Sequence, residues 1–440
     1  MTAGDVCAPG DFVRGDATGL AIPAHADALN RAGAKFLTDA FHAFGSLAAD
    51  NRVVRISRIA PYDGGNSGHK VQLSVEYARA EPGLHGDLFV KFSRDFTDAF
   101  RDRRRYELAS EVRLAALSRH PDFPVKAPVA YFADFNSETG TGIFVMQRIA
   151  FGEGGIEPLL PKCRDHTLDE PVAYYRATVT ALARLAAAQK SGRLSPAADM
   201  LFPFDREVCA AENPIPWSEA ELRERMARYA AFAETCAPLL PAHLVEPRFL
   251  SRFERDALRF LRHETRVRRF LHSDDDFIAL CHWNTNIDNA WFWRDTTGVL
   301  QCGLLDWGLV RQMNVATALW GGLSAASLQI WDNHLDELLA LFIAELHANG
   351  GPALPLALLK LHLDLATAML GLALMMDTPA LVLSRLPEAA IASGPRDPVL
   401  DKNEVARNFL HVFTAFLNLW QRHDFGASLD RMLERVGDDP

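Results

Sequence analysis

"LCHWNTNIDNAWFWRD" (residues 280–295) is the stretch that decides the fold, because it interrupts a long helical region with a β segment. Within it, His282 is followed seven residues later by Asn289, and an aromatic run comes next. The flanking "FIALCHW" and "GVLQCGLLDWG" have the pattern of short strands around loops. The sequence therefore predicts a loop between strands, set inside a mainly helical domain.

The N-terminal part of the chain has a different pattern. Two alternating runs, "RVVRISRIAPY" and "VQLSVEY", flank the glycine-rich turn "DGGNSGHK" (63–70), which predicts a hairpin, and "GDLFVKFS" (86–93) predicts a third strand. The other predicted elements here are a helix over 25–45, a helix over 103–119, and strands over 127–135 and 140–150. The apolar side of the second helix is predicted to carry Leu108, Val112, Ala115 and Ala116. We predict an α+β fold of two lobes, with a small antiparallel-sheet lobe (1–150) and a large, mostly helical lobe (151–440).

The composition limits the possible functions. The chain has 440 residues, of which 49% are hydrophobic and 23% charged, and its net charge is −10. These values are typical of a globular protein and argue against a nucleic-acid partner, which requires a basic face. The basic clusters at 101–107 and 262–269 are best interpreted as solvated helix faces.

Cysteine use and hydropathy indicate a cytoplasmic protein. The six cysteines are scattered, without a CxxC pair, and the N-terminus lacks the basic and apolar regions of a signal peptide. The most apolar stretch, "LATAMLGLALMM" (365–376), is too short to cross a membrane and predicts a buried helix. We therefore expect no membrane span.

Lys91 in "LFVKF" is the first residue with possible chemistry. A lysine in such a position can reach the phosphates of a nucleotide if a carboxylate holds its ammonium group, and Glu111 on the following helix is the first candidate, with Glu107 the second. The alternative is an edge-strand lysine with an exposed head.

The turn at 63–70 could approach phosphate oxygens. Gly65 allows close approach of the backbone, and Asn66 and Ser67 could add donors. The turn matches neither the GxGxxG fingerprint nor the P-loop, and an ordinary hairpin would use the same residues.

Asn289 and Asp306 are candidate magnesium ligands. They supply one amide and one carboxylate, 17 residues apart, at the ends of two neighbouring predicted strands. Kinase catalytic loops carry the base aspartate five residues before such an asparagine, and here that position is Asn284. His282 would brace the loop.

Together these motifs resemble the aminoglycoside phosphotransferase and choline kinase-like superfamily, and within it the ecdysteroid-kinase-like branch. The family loop reads H-G-D-x-x-x-x-N and is followed by an "(I/L)DW" strand end, which "HWNTNIDN" (282–289) and "LLDWG" (304–308) resemble. "GGNSGHKVQLSVEY", "FVKF" and "SEVRLAALS" resemble its N-terminal lobe, and "VMQRIA" (145–150) stands where the family has its adenine-reading hinge. The resemblance covers roughly residues 50–330.

The resemblance implies a protein-kinase-like two-lobe fold. It also implies ATP and Mg²⁺ as cofactors. It implies nucleotide contacts from the turn, Lys91, Glu111, Gln147 and Ile149, with His282 and Asn284 in the catalytic loop. The partner would be a small hydroxylated molecule held by the helical lobe. Aromatic residues in 283–293 and the apolar helices favour an apolar ligand, although core packing explains them equally well.

Two residues depart from the family pattern: Trp283 replaces a glycine and Asn284 replaces the aspartate. Asparagine can orient a hydroxyl but cannot accept its proton at neutral pH. The sequence thus predicts a small-molecule kinase, with a nucleotide-binding pseudokinase as the alternative. A serine hydrolase is a remote third hypothesis, because "GLSAA" (322–326) approximates a nucleophile elbow but lies in a helical pattern.

Overall fold

The structure is a computed structural model that describes residues 10–62, 64 and 67–437. Contacts between Cα atoms divide the chain into two compact units. One unit comprises the chain up to Glu157 together with Pro196–Phe202 and Gly303–Val310, and the other comprises the remainder. The sequence did not predict that two short later segments would join the first unit. The division of the chain at residue 150 into separate domains stays a prediction.

The first unit is built on strands and three helices from the N-terminal part of the chain. Its elements are β1 (Phe12–Arg14), β2 (Ala21–Pro23), α1 (Ala26–Phe44), β3 (Val53–Pro61), β4 (His69–Tyr77), β5 (Asp87–Phe92), α2 (Ala99–Asp102), α3 (Leu108–Leu117), β6 (Ala130–Asn136) and β7 (Thr141–Gln147). Strands β3 to β7 form one antiparallel sheet in the order β3-β4-β5-β7-β6, and β1 pairs with β2. The predicted order of three strands, helix and two strands is confirmed.

Alternation along the strands gives this sheet two buried faces. Phe132 and Val145 point into a core shared with Phe41 of α1, whereas Phe144 and Met146 point into a second core with α3. Both faces are apolar because a helix covers each of them, and this explains the long apolar runs of β5, β6 and β7.

The helix predicted over 103–119 is shorter, and its buried face is different. A 3₁₀ turn precedes α3, which begins at Leu108. Leu108 and Ala115 are buried as predicted, but Val112 is only half-buried and Ala116 is exposed. The buried stripe instead includes Glu111, because a partner on the sheet neutralises its charge.

The second unit is mostly helical. In chain order the elements after β7 are α4 (Pro171–Lys190), α5 (Ala197–Leu201, in the first unit), α6 (Arg206–Ala211), α7 (Glu219–Thr235), α8 (Pro247–Arg262), α9 (Glu264–Ser273), β8 (Ile278–His282), β9 (Ala290–Arg294), β10 (Leu300–Leu304), β11 (Val310–Asn314), α10 (Val315–Leu323), α11 (Leu328–Ala348), α12 (Leu356–Leu374), α13 (Thr378–Arg385), α14 (Glu404–His423) and α15 (Phe425–Val436). Strand β8 pairs with β11, and β9 with β10. The small antiparallel sheet and the mainly helical remainder confirm the predicted fold class.

The apolar stretch at 365–376 belongs to a longer helix, α12, which begins at Leu356 and ends at Leu374. By length and composition alone this helix could cross a membrane. Its most apolar 18-residue window is 72% buried inside the protein. The burial is that of a core helix, with Leu359, Leu365 and Leu372 fully enclosed.

Candidate functional site

Lys91 lies near the end of β5, the middle strand of the sheet, between β4 and β7. It is 9% exposed, so the alternative of an edge-strand lysine with an exposed head is wrong. The β5–β7 register sets Lys91 opposite Phe144, on the face that α3 covers. A buried ammonium group needs a carboxylate partner, because desolvating an unpaired charge is costly.

Glu111 is that partner. The Nζ atom of Lys91 donates to both carboxylate oxygens of Glu111, at 2.9 and 2.8 Å. Glu107 instead accepts from Arg104 at 2.7 Å, one turn away on the same segment. The structure therefore brings Lys91 to the first of the two predicted glutamates.

Asp306 brings a second carboxylate to the same ammonium group, with its Oδ1 2.7 Å from the Nζ of Lys91. Its backbone is left-handed, at φ 58° and ψ 59°, a region that non-glycine residues seldom occupy and that often marks functional sites. The Leu304 amide donates to the Lys126 carbonyl, and the Trp307 indole donates to the Leu304 carbonyl, each at 2.9 Å. These bonds anchor the strand end, while the Asp306 side chain stays 48% exposed.

The neighbouring charges and burial shift the pKa values of Lys91 and Glu111. Burial alone would lower the pKa of Lys91, but the carboxylates of Asp306 and Glu111 outweigh it and raise that pKa. Burial raises the pKa of Glu111, against the lowering effect of the Lys91 ammonium, and the charge of Asp306 adds to the rise. Lys91 is therefore firmly cationic and shared between two carboxylates.

Lys70 is a member of this cluster that the sequence analysis missed. It lies opposite Lys91 in the β4–β5 register, is 7% exposed, and donates from Nζ to the carbonyls of Gly64 and Ser67, each at 3.0 Å. Burial lowers its pKa to about 8, and the Lys91 ammonium adds to this effect. The sequence analysis placed Lys70 at the end of the turn, whereas β4 begins at His69, and the strand register then sets Lys70 opposite Lys91.

The predicted turn residues are only partly visible. Gly65 and Asn66 lie outside the described residues, and Ser67 offers its carbonyl to Lys70. Gly68 has a φ of 55°, and a Cβ there would lie 1.9 Å from the Phe92 carbonyl oxygen. This glycine therefore lets the turn pack against the end of β5.

Gln147 and Ile149 lie at the exit from β7. Gln147 pairs with Leu88 on the same β5–β7 ladder that carries Lys91. Its backbone N–H donates to the Val129 carbonyl at 2.8 Å. Ile149 follows the strand and is half-buried. Both lie in the first unit, and their roles toward a nucleotide stay predictions.

The loop between β8 and β9 is held together by side-chain amides. His282 is fully buried, and its Nδ1 accepts a hydrogen bond from the backbone N–H of Asn284 at 3.1 Å. The Nδ2 atom of Asn289 donates to the Asn284 carbonyl at 3.0 Å. The three predicted loop residues are thus directly connected, and His282 braces the backbone at Asn284.

Asn286 is a second residue that sequence reasoning missed. It is 1% exposed, donates to the Oδ1 of Asn284 at 2.8 Å and to the Gly321 carbonyl at 3.0 Å, and accepts from the Ala325 amide at 3.1 Å. Because the oxygen of the Asn284 amide is engaged by Asn286, its NH₂ end is the part that can meet another oxygen. Asn284 can therefore orient a hydroxyl group as a donor.

Two glycines of α10 allow this loop to pack closely. A Cβ at Gly321 would lie 1.9 Å from the Trp283 carbonyl oxygen, and one at Gly322 would lie 2.2 Å from the Oγ1 of Thr285. The same segment rules out the hydrolase elbow, because Ser324 follows a helix and not a strand.

Each of the two predicted metal ligands carries an oxygen of the kind that a hard divalent cation prefers. In the first unit, Asp306 has a half-exposed carboxylate, and in the second unit the side-chain nitrogen of Asn289 is used by the Asn284 carbonyl, so its amide oxygen is the remaining candidate ligand atom. In the described part of the chain, no group of three or more His, Cys, Asp or Glu side chains could hold a metal ion. Mg²⁺ in phosphoryl-transfer sites takes few protein ligands and completes its shell with phosphates and water.

Comparisons with known proteins give matches only among solved structures. No family model matches the chain, and no curated protein matches it. The microcompartment-associated aminopropanol kinase is similar at 14% identity and a TM-score of 0.43, covering 88% of this chain and 98% of that one. The GDP complex of aminoglycoside 2'-phosphotransferase-IIIa (12%, TM-score 0.41, 83% and 94%) and choline kinase from Cryptosporidium parvum (11%, 0.40, 87% and 91%) are further examples.

The resemblance drawn from the motifs names the same enzymes, aminoglycoside phosphotransferases and choline kinases, while the narrower ecdysteroid-kinase-like branch stays a prediction. The chemistry proposed below rests on the residues of this chain.

Proposed function

We propose that this protein is a small-molecule kinase that transfers a phosphoryl group from ATP, with Mg²⁺, to a hydroxyl group. The observation that carries the proposal is the buried Lys91–Glu111 ion pair, with Asp306 on the same ammonium group. A structural ion pair would not need a third, half-exposed carboxylate in a left-handed backbone conformation. A cytoplasmic location is part of the same proposal.

In this proposal each unit contributes separate tasks. Lys91, held by Glu111, binds phosphate oxygens and stabilises the charge that develops on them. Asn289 and Asp306 would hold Mg²⁺, which neutralises phosphate charge when bound. Asn284 donates a hydrogen bond that orients the acceptor oxygen.

The loop chemistry also defines the alternative. Asn284 cannot take the hydroxyl proton, and general-base assistance is typically worth about 10²–10⁴-fold in rate. The protein would then bind nucleotide in a structural or regulatory role, as a pseudokinase. The engagement of Asn284 by Asn286 is the observation that favours this alternative.

Nucleotide binding is tested by thermal unfolding with ATP and Mg²⁺, and with ATP and EDTA, for wild type and Asp306→Ala. We expect ATP with Mg²⁺ to raise the Tm of the wild type by at least about 2 °C at saturating ligand. The shift should be lost with EDTA and in the variant, because both remove the metal contribution.

Asp39→Ala is the matched control, because Asp39 is similarly exposed and also pairs with a lysine, Lys35, but lies on α1. It should keep the full shift. Absence of any shift in the wild type would contradict both the kinase and the pseudokinase hypotheses.

A further inference from the structure

A cavity of about 400 Å³ is lined by residues of the helical unit. Its lining comes from residues 163–166, 239–241, 327–329, 395–401 and 407–414. Its volume lies within the range of small-molecule sites. No residue proposed above for nucleotide or metal lines it.

The polar side of this cavity carries guanidinium groups. Arg164 and Arg407 both contact the Oδ1 of Asp401, Arg407 at 3.3 Å, so two cations share one carboxylate. The third, Arg396, is exposed and makes no ion pair within the described residues. Three arginines therefore face two aspartates in the lining, Asp397 and Asp401.

The carboxylate of Asp397 does not balance this surplus. Its Oδ2 accepts from the amide and hydroxyl of Ser393, both at 2.8 Å, and its Oδ1 accepts from the Val399 amide at 2.9 Å. The backbone hydrogen bond from Ser393 is the main reason that the pKa of Asp397 is lowered. This aspartate therefore fastens its own loop.

Arg407 has a buried donor without an acceptor. Its side chain is 15% exposed, and its Nε is enclosed and makes no hydrogen bond within the described part of the chain. Its other contact with a carboxylate is with the exposed Glu404, at 3.9 Å. Because both carboxylate contacts of its terminal nitrogens are longer than an ordinary charge-assisted hydrogen bond, these nitrogens can donate to a further acceptor in the cavity.

The two cavity histidines add no positive charge at neutral pH. Burial lowers the pKa of His166, and the nearby Arg396 lowers it further. Burial also lowers the pKa of His411, whose Nε2 lies 2.9 Å from the Ala326 carbonyl. The positive charge of the cavity therefore comes from the arginines, which remain ionised at all ordinary pH values.

The other side of the cavity is apolar. It is formed by side chains from four segments of the unit: Leu239, Leu240, Pro241, Leu328, Leu400 and Leu410. A ligand that fills the cavity would therefore bury an apolar body against these residues and place an acceptor-rich, negative group at the arginines.

We propose that this cavity binds a small organic acid, in which a carboxylate is attached to an apolar chain. Arg407 and Arg396 hold the carboxylate, and the leucines enclose the chain. This site goes beyond the proposed kinase function and does not depend on phosphoryl transfer.

One segment connects the cavity to the loop. Asn286 bonds to Gly321 and Ala325, His411 to Ala326, and the Ser327 amide donates to the buried Asp165 at 2.8 Å. A ligand in the cavity therefore contacts the chain immediately after the residues that support the loop.

The test is calorimetric titration of the full chain, without nucleotide, with octanoate, octanol, octylammonium and inorganic phosphate. We expect octanoate to bind about tenfold more tightly than octanol or phosphate, and octylammonium to bind more weakly than octanol. Arg407→Met and Arg396→Met should each weaken octanoate binding, the first by about tenfold.

Arg223→Met is the matched control, since this arginine makes an exposed ion pair with Glu254 on the same unit and does not line the cavity. It should leave octanoate affinity unchanged. Arg396 is exposed, so its variant should keep the fold even if the loss of Arg407 disturbs it. Equal affinity for octanoate and octylammonium, or unchanged octanoate affinity in the Arg396 and Arg407 variants, would overturn the proposal.

Discussion

The Lys91 cluster (Lys70, Lys91, Glu111 and Asp306) and the loop from His282 to Asn289 are held together by different kinds of interaction. In the β-rich unit, two lysines and two carboxylates interact through their charges, which shift the pKa values of Lys70, Lys91 and Glu111. In the helical unit, three asparagines and a buried histidine hold the loop with hydrogen bonds between neutral groups. In the proposed function the cluster stabilises phosphate charge, whereas the Asn284 amide can orient a hydroxyl group but cannot accept its proton.

Asn284→Asp should give the largest effect, because it would supply the loop with the missing base. Turnover of ATP should rise by about 10²–10⁴-fold if the rest of the site is intact. The measurement is ATP consumption with Mg²⁺ across a panel of hydroxylated small molecules. Turnover gained only in the variant supports the pseudokinase, and substantial turnover already in the wild type contradicts it.

Asn286→Ala should destabilise the loop strongly. The change removes three hydrogen bonds and leaves the buried Ala325 amide without its acceptor, so we expect a loss of about 2–4 kcal/mol in the free energy of unfolding. Urea unfolding at pH 6, 7.5 and 9 measures it. Since the bonded groups are neutral, the loss should be equal at the three pH values. A strong pH dependence would show that ionisable groups contribute to the stability of the loop.

Unlike Asn286→Ala, Lys70→Met should change the free energy of unfolding by an amount that depends on pH. The folded protein holds Lys70 at a pKa of about 8, below the ordinary lysine value of 10.5, so the unfolded chain binds more protons between these values. Wild-type stability relative to the variant should therefore rise with pH over that window, by about 2 kcal/mol between pH 7.5 and 10.

Lys360 provides the control for this experiment, because it also has a carboxylate partner, Asp336, but its side chain is 36% exposed. Lys360→Met should give a stability difference that stays nearly constant over the same window. A constant difference for Lys70→Met as well would show that Lys70 is not held in an unfavourable charged state.

Gly322→Ala should have the smallest effect. Strain against Thr285, whose Oγ1 would lie 2.2 Å from the new Cβ, is partly offset by the better helix propensity of alanine, so we expect a net loss of about 1 kcal/mol. Combining it with Thr285→Ala should recover this loss, because the clashing atom is then absent. Additive effects in the double mutant would show that the loop does not press on α10 at this point.

The sequence predicted most of the secondary structure because alternation, helical periodicity and turn residues are local signals. It also predicted Lys91 with Glu111, since a lysine that binds phosphates needs a carboxylate to hold its ammonium group and Glu111 lies on the following helix. It missed Lys70 and Asn286, because their partners are set by strand register and by packing against α10, and neither leaves a local pattern. The predicted face of α3 was wrong because it counted apolar residues only, whereas Glu111 is buried through its ion pair with Lys91.

The sequence by itself determined which chemical groups this protein carries: a lysine, two carboxylates and a loop with an amide in place of an acid. The tertiary structure decided which of them meet, because burial, strand register and the close approach at Gly321 and Gly322 depend on residues far apart in the chain. The arginine-lined cavity belongs entirely to this second kind, since its walls come from five separate segments that only folding brings together.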